Sequence, residues 1–384
     1  MKIAFLTTDN REHYRRYDLA EPYFGTAPEA LLQGFTDTPD LEVHVVSCAQ
    51  RRMKSPEKLA DNIWFHSLLV PKIGWLRTGY QGCIRATRKF LRKLQPDLVH
   101  GQGTERDCGV SAVFSGFPNV ITLHGIMREQ ARLLGARPAT FYWMAKQLER
   151  FTLPRTLGVF CNSKYTESIV QRRARQTWRV PNALRREFFE PPLPAAASAP
   201  KPILLNVGAV GLRKRQYEVL EVAEQLHSSG HSFELQFIGE ADAGDRYGAA
   251  FLDRIKAVER NDFARYLGTK SLTNLISSFD TASALVHVPS EEAFGLVVAE
   301  ALARNLKVFA TNVGGIRDIA SGIDGADLLE LDDRQSLVSA ITDWLRHGCA
   351  QPQTAAAEMR ARYHPEVIAR QHLDIYKEVL STSS

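Results

Sequence analysis

Residues 289–305 read PSEEAFGLVVAEALARN, and the fold follows from what stands on either side of them. The run SALVHVP (283–289) is an unbroken apolar strand that stops at a proline, and KVFATN (307–312) is another. Between them a loop carrying Glu291 and Glu292 gives way near Gly295 to a helix that is apolar on nearly every side. Strand, helix and strand in that order make one parallel βαβ unit. Apolar runs without alternation mean that both faces of the sheet are covered.

The same unit recurs in both directions. Further strands are expected at 202–208, 233–239, 263–268 and 326–331, with helices starting near 214, 245, 271, 295, 315 and 333. The first half repeats the pattern, with strands at 2–8, 41–48, 63–70, 97–100, 119–124, 157–163 and 177–181. Its helices are expected at 28–36, 80–94, 105–116, 139–151 and 164–175. EPPLPAAASAP (190–200) has four prolines in eleven residues and no periodicity, so it reads as a linker. The expectation is two Rossmann-like, doubly wound α/β domains, 1–190 and 201–364, joined by 191–200 and facing across a cleft. Ligands of such sheets bind outside the strand C-termini, so the chemistry is sought at strand ends and helix starts.

Composition narrows the class. The chain has 384 residues, 44% hydrophobic and 24% charged, as in ordinary globular proteins. No apolar run approaches 18 residues, and MKIAFLTTDN reads as a first strand rather than a signal peptide. The five cysteines are scattered and never spaced C-x-x-C, which excludes a disulfide framework and a zinc ribbon and predicts a cytoplasmic protein. Residues 1–190 carry 29 Lys and Arg against 18 Asp and Glu; residues 191–384 carry 19 against 25. Such asymmetry suggests that the first half meets an anionic partner. No nucleic-acid module is recognisable, which leaves an anionic membrane or an acidic acceptor.

Four segments carry candidate chemistry. Glu300 is the only ionisable residue between Ala293 and Ala303. A buried carboxylate needs hydrogen-bond partners, which are either a neighbouring loop's amides or vicinal hydroxyls of a ligand. Glu292 stands at the strand end in the expected cleft, and by itself it reads, like Glu291 beside it, as a solvated loop residue. GAVGLRKR (208–215) sets three cations at a helix start, where the macrodipole favours anions. A bound phosphate or diphosphate resolves that conflict, and a solvated basic turn is the plainer alternative. FGTAPEALLQGF (24–35) leads through Gly25 and Thr26 into a helix. LHGI (123–126) ends a strand with His124, and His100 ends the preceding strand. No G-x-G-x-x-G, P-loop, G-x-S-x-G elbow or metal-ligand spacing occurs, which argues against NAD, P-loop nucleotide hydrolysis, a serine hydrolase and a metal site.

EAFGLVVAE (292–300) resembles the E-x7-E signature of retaining glycosyltransferases of family 4, which have the GT-B fold. PSEEAFGLVVAEALARNLKVFATNVGG (289–315) is similar to that family's strand–loop–helix–strand–Gly-Gly block almost throughout. FGT (24–26), TLHG (122–125), CNSKYTES (161–168) and VPNAL (180–184) resemble further segments of the family. The resemblance implies that Glu292 holds hydroxyls of the donor sugar and Glu300 the ribose hydroxyls. Arg213 and Lys214 would meet the diphosphate, with Arg215 as a third candidate, and His124 the sugar near the reacting centre. Gly25, Thr26, Gly208, Ala293, Phe294, Gly295 and Leu296 would line the donor site, and Leu267–Ser271, with Gly268 and Thr269, would frame the base. A last helix, 365–384, would return to the first domain. The sequence departs from the family at Ala209, often an arginine, at Asn305-Leu306, usually Gly-Pro, and at the GTAP loop. Asparagine tolerates the left-handed conformation, so the 305 turn can survive.

The expected function is hexosyl transfer from a nucleoside diphosphate sugar to a glycan or lipid-linked acceptor, with retention and with no cofactor or metal. A non-catalytic GT-B-like binder of nucleotide sugar or glycan is the alternative outside enzymes; a phosphorylase or epimerase is the one within them. WLRTGYQGCIRATRKFLRK (75–93) combines Trp75, Leu76, Tyr80, Ile84, Phe90 and Leu91 with six cations. Ile84, Thr87 and Leu91 fall at helical spacing and can pack on the sheet while the cations face outward, which reads either as a helix for docking on the inner face of a membrane or as a core helix with a solvated basic face.

Overall fold

The computed structural model describes residues 1–192 and 200–383. Contacts divide the chain into two compact units, Met1–Arg185 with Tyr363–Ser384, and Arg186–Arg362. The division thus falls at Arg185, five residues before the expected boundary at 190, and at Arg362 rather than 364. The reason is local. The 3-10 turn Arg186–Phe189 buries Phe188 edge-on against Phe279, and Arg304 donates to the carbonyls of Phe188 and Glu190 at 3.3 and 2.5 Å. Of the expected linker, residues 193–199 lie outside the described residues.

The first unit's strands are β1 (Lys2–Leu6), β2 (Glu42–Ala49), β3 (Lys58–Ala60), β4 (Ile63–Leu69), β5 (Leu98–Gln102), β6 (Asn119–Leu123), β7 (Gly158–Cys161) and β8 (Thr177–Arg179). They lie in the order β3-β4-β2-β1-β5-β6-β7-β8, parallel except for β3 against β4. The sequence did not indicate β3, whose three residues are too short and too polar to stand out. The second unit holds β9 (Ile203–Val207), β10 (Glu234–Ile238), β11 (Ala264–Tyr266), β12 (Ala284–His287), β13 (Lys307–Thr311) and β14 (Ala326–Leu329). Their order is β11-β10-β9-β12-β13-β14, all parallel. In each unit the order reverses beside the unit's first strand, between β1 and β5 and between β9 and β12. Loops leaving that point diverge to opposite faces and leave a crevice for a ligand.

Two aromatic-rich cores support these sheets. In the second unit Phe233, Phe237, Phe251, Phe309 and Trp344 pack with strand valines and leucines. In the first, Phe5, Phe35 and Phe160 pack with Ile368 and Tyr376 from the last helix, Pro365–Ser383. Asn305 takes φ +51° and its side-chain oxygen accepts from Ala356 N–H at 2.8 Å, so the turn that departs from Gly-Pro is held by an asparagine-specific bond.

Candidate functional site

At the second unit's reversal point, the loop after β9 meets the loop after β12. Arg213 Nη1 and Lys214 Nζ both donate to one carboxylate oxygen, Glu292 Oε2, at 3.2 and 2.5 Å. Arg213 Nη1 also donates to the Glu291 carbonyl at 2.9 Å, and Arg213's own carbonyl accepts from Ser290 N–H at 2.9 Å. The loop after β12 is held from its other side too. Gly315 N–H donates to the Glu292 carbonyl at 2.9 Å, and buried Thr311 donates to the Pro289 carbonyl at 2.8 Å. Glu292 is therefore fixed by backbone bonds on both flanks, as a preorganised group must be.

The close approach needs glycine. A Cβ on Gly314 would sit 1.9 Å from the Glu292 carbonyl oxygen, and one on Gly315 would sit 2.4 Å from that of Ala293. Gly314 also holds φ +51°, a conformation that costs other residues about 1–2 kcal/mol.

Burial alone would favour the neutral acid at Glu292, but Lys214 first, then His287 and Arg213, outweigh it and hold the carboxyl well below the usual carboxylate range. His287, at the end of β12 and 1% exposed, lies 3.9 Å from Glu292 Oε2, beyond hydrogen-bond reach. Burial, with Lys214 adding to it, pushes that imidazole down to about 4, so it is neutral at pH 7. One anion and two cations thus meet over a neutral ring.

Two sequence expectations change here. Glu291 is not solvated: it is 8% exposed, beside Arg213 at 3.9 Å. Arg215 does not share the cluster. It takes φ +58°, turns its guanidinium to Asp332 at 2.7 Å and Glu218 at 3.4 Å, and the helix begins after it, at Gln216–Ser228. The unfavourable triplet at 213–215 is thus resolved inside the chain, two cations by Glu292 and the third by Asp332 and Glu218.

The remaining donor-side residues surround this junction in the chain. Gly208 follows β9, its N–H bonded to the Ile238 carbonyl at 2.8 Å. Ala293 and Phe294 are buried, and Gly295, at φ +105°, opens the helix Leu296–Ala303. First-turn amides of a helix lack intrahelical partners and suit an anion. Glu300 lies within that helix, 5% exposed, its neighbours from Val297 to Ala303 all buried. Gly268 accepts from Gly239 N–H at 2.9 Å, and exposed Thr269 follows it before the helix Leu272–Thr281.

His124, Gly25 and Thr26 belong to the first unit. Gly25 caps the helix Thr26–Thr36 with no side-chain bond, and Pro28 stands in its first turn. The loop before it is tied down by Arg11, fully buried, which donates to the Asp9 carboxylate at 3.2, 3.0 and 2.7 Å, and to the Leu19, Ala20 and Lys54 carbonyls. His124 follows β6, and its Nε2 meets Gln102 Oε1 at 2.9 Å. Sequence reading passed over Arg11 and Gln102. Gln102 had a signal, since it stands two residues from His100 on one strand and therefore on its face. The described residues also converge Cys48, Cys83 and Asp107, with ligand atoms within 4.8 Å of one another, from segments whose spacing in the chain gives no hint of it.

The family model of Glycosyltransferase Family 4 matches residues 31–187, and that of Glycosyl transferases group 1 matches 194–363. The chain is 22% identical over 311 residues to the phosphatidylinositol N-acetylglucosaminyltransferase GPI3 subunit of Saccharomyces cerevisiae; the match takes in 77% of this chain and spans 66% of that relative's length. Sucrose-phosphate synthase from Thermosynechococcus elongatus superposes with a TM-score of 0.78 at 18% identity over 100% of both chains. Anabaena HepE in complex with UDP-glucose superposes with a TM-score of 0.71 at 16% identity, again over 100% of both. With two parallel α/β units, and with one family model matched in each half, the chain belongs to the family 4, group 1 glycosyltransferases of the GT-B fold.

Proposed function

We propose that this glycosyltransferase moves a hexosyl group from a UDP- or GDP-sugar to a hydroxyl of a glycan or lipid-linked acceptor, with retention and without a metal. Cell-surface polysaccharide or glycolipid synthesis is the fitting setting. The observation that carries the reading is the junction of Arg213, Lys214 and Glu292 at the strand-order reversal. A diphosphate is the ligand that competes with Glu292 for both cations. Taking them, it releases the Glu292 carboxylate to accept bonds from sugar hydroxyls. The cations and the Leu296–Ala303 first-turn amides then stabilise the charge growing on the leaving diphosphate. The anomeric carbon–phosphate oxygen bond breaks as the acceptor oxygen attacks the same face, and the acceptor proton passes to the leaving phosphate. Glu300 takes the ribose hydroxyls. HepE's complex with UDP-glucose supports the donor class.

The test offers UDP-, GDP-, ADP- and dTDP-sugars in EDTA and reads the new linkage by NMR. Transfer from one of them with the donor's anomeric configuration is expected, and Glu300→Ala should weaken the nucleoside diphosphate by about 1.5–3 kcal/mol. Inverted product, a strict metal requirement or unchanged nucleotide affinity each removes a part of the reading.

For the acceptor side we propose docking on an anionic membrane, and the first unit's surface supports it with a changed cast of residues. On the helix Gln81–Leu94, Ile84, Thr87 and Leu91 are buried while Arg85, Arg88, Lys89, Arg92 and Lys93 face outward. Tyr80 is thus a core residue, and Ile84 and Leu91 pack inward as their helical spacing predicts. The exposed large apolar side chains of the first unit include Leu69, Ile73, Leu134, Phe114, Phe141 and Phe151, and Phe114 stacks on Phe151 at 5.8 Å. A groove of about 530 Å³ along the helix Phe141–Thr152 is lined by Trp143, Met144, Leu148 and Phe151 with Arg150 and Arg155. Among the described residues no helix is long and apolar enough to cross a membrane. Each cation near an anionic leaflet contributes ~1 kcal/mol. Co-sedimentation with anionic but not neutral vesicles is expected, lost in high salt and after charge reversal at 88–93. No binding at low salt leaves a soluble acidic acceptor.

A further inference from the structure

Four polar side chains share one face of the first unit's sheet. Gln102 on β5 is the register partner of Thr122 on β6. His100 stands two residues before Gln102, and His124 two residues after Thr122, so the period of two puts all four on one side. They form a bonded row. His124 Nε2 meets Gln102 Oε1 at 2.9 Å, and Gln102 Nε2 meets His100 Nε2 at 3.0 Å. His100 Nε2 also meets the Thr122 hydroxyl at 2.7 Å, and its Nδ1 meets the Tyr376 phenol at 2.5 Å. Tyr376 and His100 are fully buried, and Gln102 and Thr122 nearly so.

Burial pushes the His124 imidazole down to about 4 and that of His100 well below its usual value, with the neighbouring His372 adding to the second. Both rings are neutral at pH 7, and a neutral imidazole has one N–H and one bare nitrogen. The Gln102 amide has one accepting end and one donating end. Both histidines offer it the same atom, Nε2. One Nε2 must therefore carry a proton and the other must be bare, so the two rings hold opposite tautomers. With Oε1 toward His124, the His124 proton is on Nε2 and its Nδ1 is bare. His100 then carries its proton on Nδ1 and donates it to the Tyr376 oxygen, while Thr122 and Gln102 donate to its Nε2. His124 Nδ1 is buried with no partner at hydrogen-bond distance, and the Asn182 side chain raises the imidazole against the larger pull of burial.

We infer that Gln102 is a positioning residue that locks His124 with a proton on Nε2 and a bare Nδ1 for a substrate hydroxyl, and that Tyr376 on the last helix sets Gln102's orientation through His100. The substrate half rests on the reading that His124 meets the donor sugar. The tautomers can be read without any substrate, by nitrogen–proton NMR of the histidine rings in the full chain. Gln102→Met removes both bonds; His124 should lose its single tautomer, and kcat should fall about tenfold with the donor KM little changed. Gln102→Glu accepts at both ends; it should keep the proton on His124 Nε2 and recover most of kcat. Tyr376→Phe removes the acceptor of His100 Nδ1–H. The His100 proton then moves to Nε2, the amide turns over, and His124 shifts toward Nδ1–H although Tyr376 does not hydrogen-bond to it. An unchanged His124 tautomer in folded Gln102→Met and Tyr376→Phe chains overturns the inference, and so do shifted tautomers with unaltered transfer. Tautomers that shift as stated in a wild-type chain that transfers no sugar overturn the glycosyltransfer reading and the substrate half with it.

Discussion

Glu292→Ala abolishes most sugar transfer while leaving a folded chain that binds nucleoside diphosphate. Two charge-assisted bonds to sugar hydroxyls, at about 1.5–3 kcal/mol each, correspond to a rate loss of at least about 100-fold. The free nucleotide makes no such bonds, and in the mutant it no longer competes with a carboxylate for Lys214 and Arg213. Its affinity should hold or rise. Without ligand the mutant is less stable, because two partly buried cations lose their shared anion, a loss of about 1–3 kcal/mol. The pH dependence has a definite sign. The folded-state carboxyl is depressed, so its contribution is fully present above the ordinary glutamate value and disappears as pH falls through the lower folded value. The gap in stability between wild type and mutant should be flat above about pH 4.5 and close in stronger acid. Full turnover in the mutant would make Glu292 no more than a clasp for the two loops.

Gly314→Ala should cost about 2–4 kcal/mol of stability and most of the donor affinity. The added Cβ meets the Glu292 carbonyl oxygen at 1.9 Å and its amide nitrogen at 3.3 Å. Both are backbone atoms, so no side chain can swing away; the loop carrying Glu292 has to move. Gly322→Ala is the control. It has φ +73° with nothing within 4 Å, so it bears only the conformational cost, about 1 kcal/mol. Thermal unfolding of both and donor binding by calorimetry decide the matter. Equal losses at the two sites would mean that the left-handed backbone, not the contact with Glu292, is why position 314 is glycine.

These two residues also mark what the chain's sequence discloses. The parallel strands were legible because each is a short apolar run ended by a polar or turn residue, such as ILLNV before Gly208. Arg213 and Lys214 stood out because cations at a helix start oppose the macrodipole, whereas Glu292 was singled out by the family resemblance and by its place at a strand end. What escaped depends on distant segments meeting. Arg215 looks like its two neighbours until Asp332 and Glu218 claim it. Glu291 looks like a loop residue until Arg213 is packed beside it. Tyr80 looks available to a membrane until Cys48, Val70 and Val110 pack around it. Gln102 has ordinary neighbours, and its importance lies in which ends of two histidines it touches.

The last helix closes the first unit with residues made after the entire second unit. Roughly 180 residues separate Arg185 from Tyr363, which at about 5–20 residues per second is on the order of 10–40 s on the ribosome. Through that interval Phe5, Phe35, Phe160 and His100 wait without Ile368 and Tyr376, which complete their packing. The second unit is an unbroken stretch and can finish first. Synthesis therefore runs against the order of the chain: the first unit completes its folding after the second, and until Tyr376 arrives the bonded row from His124 through Gln102 to His100 lacks its last member.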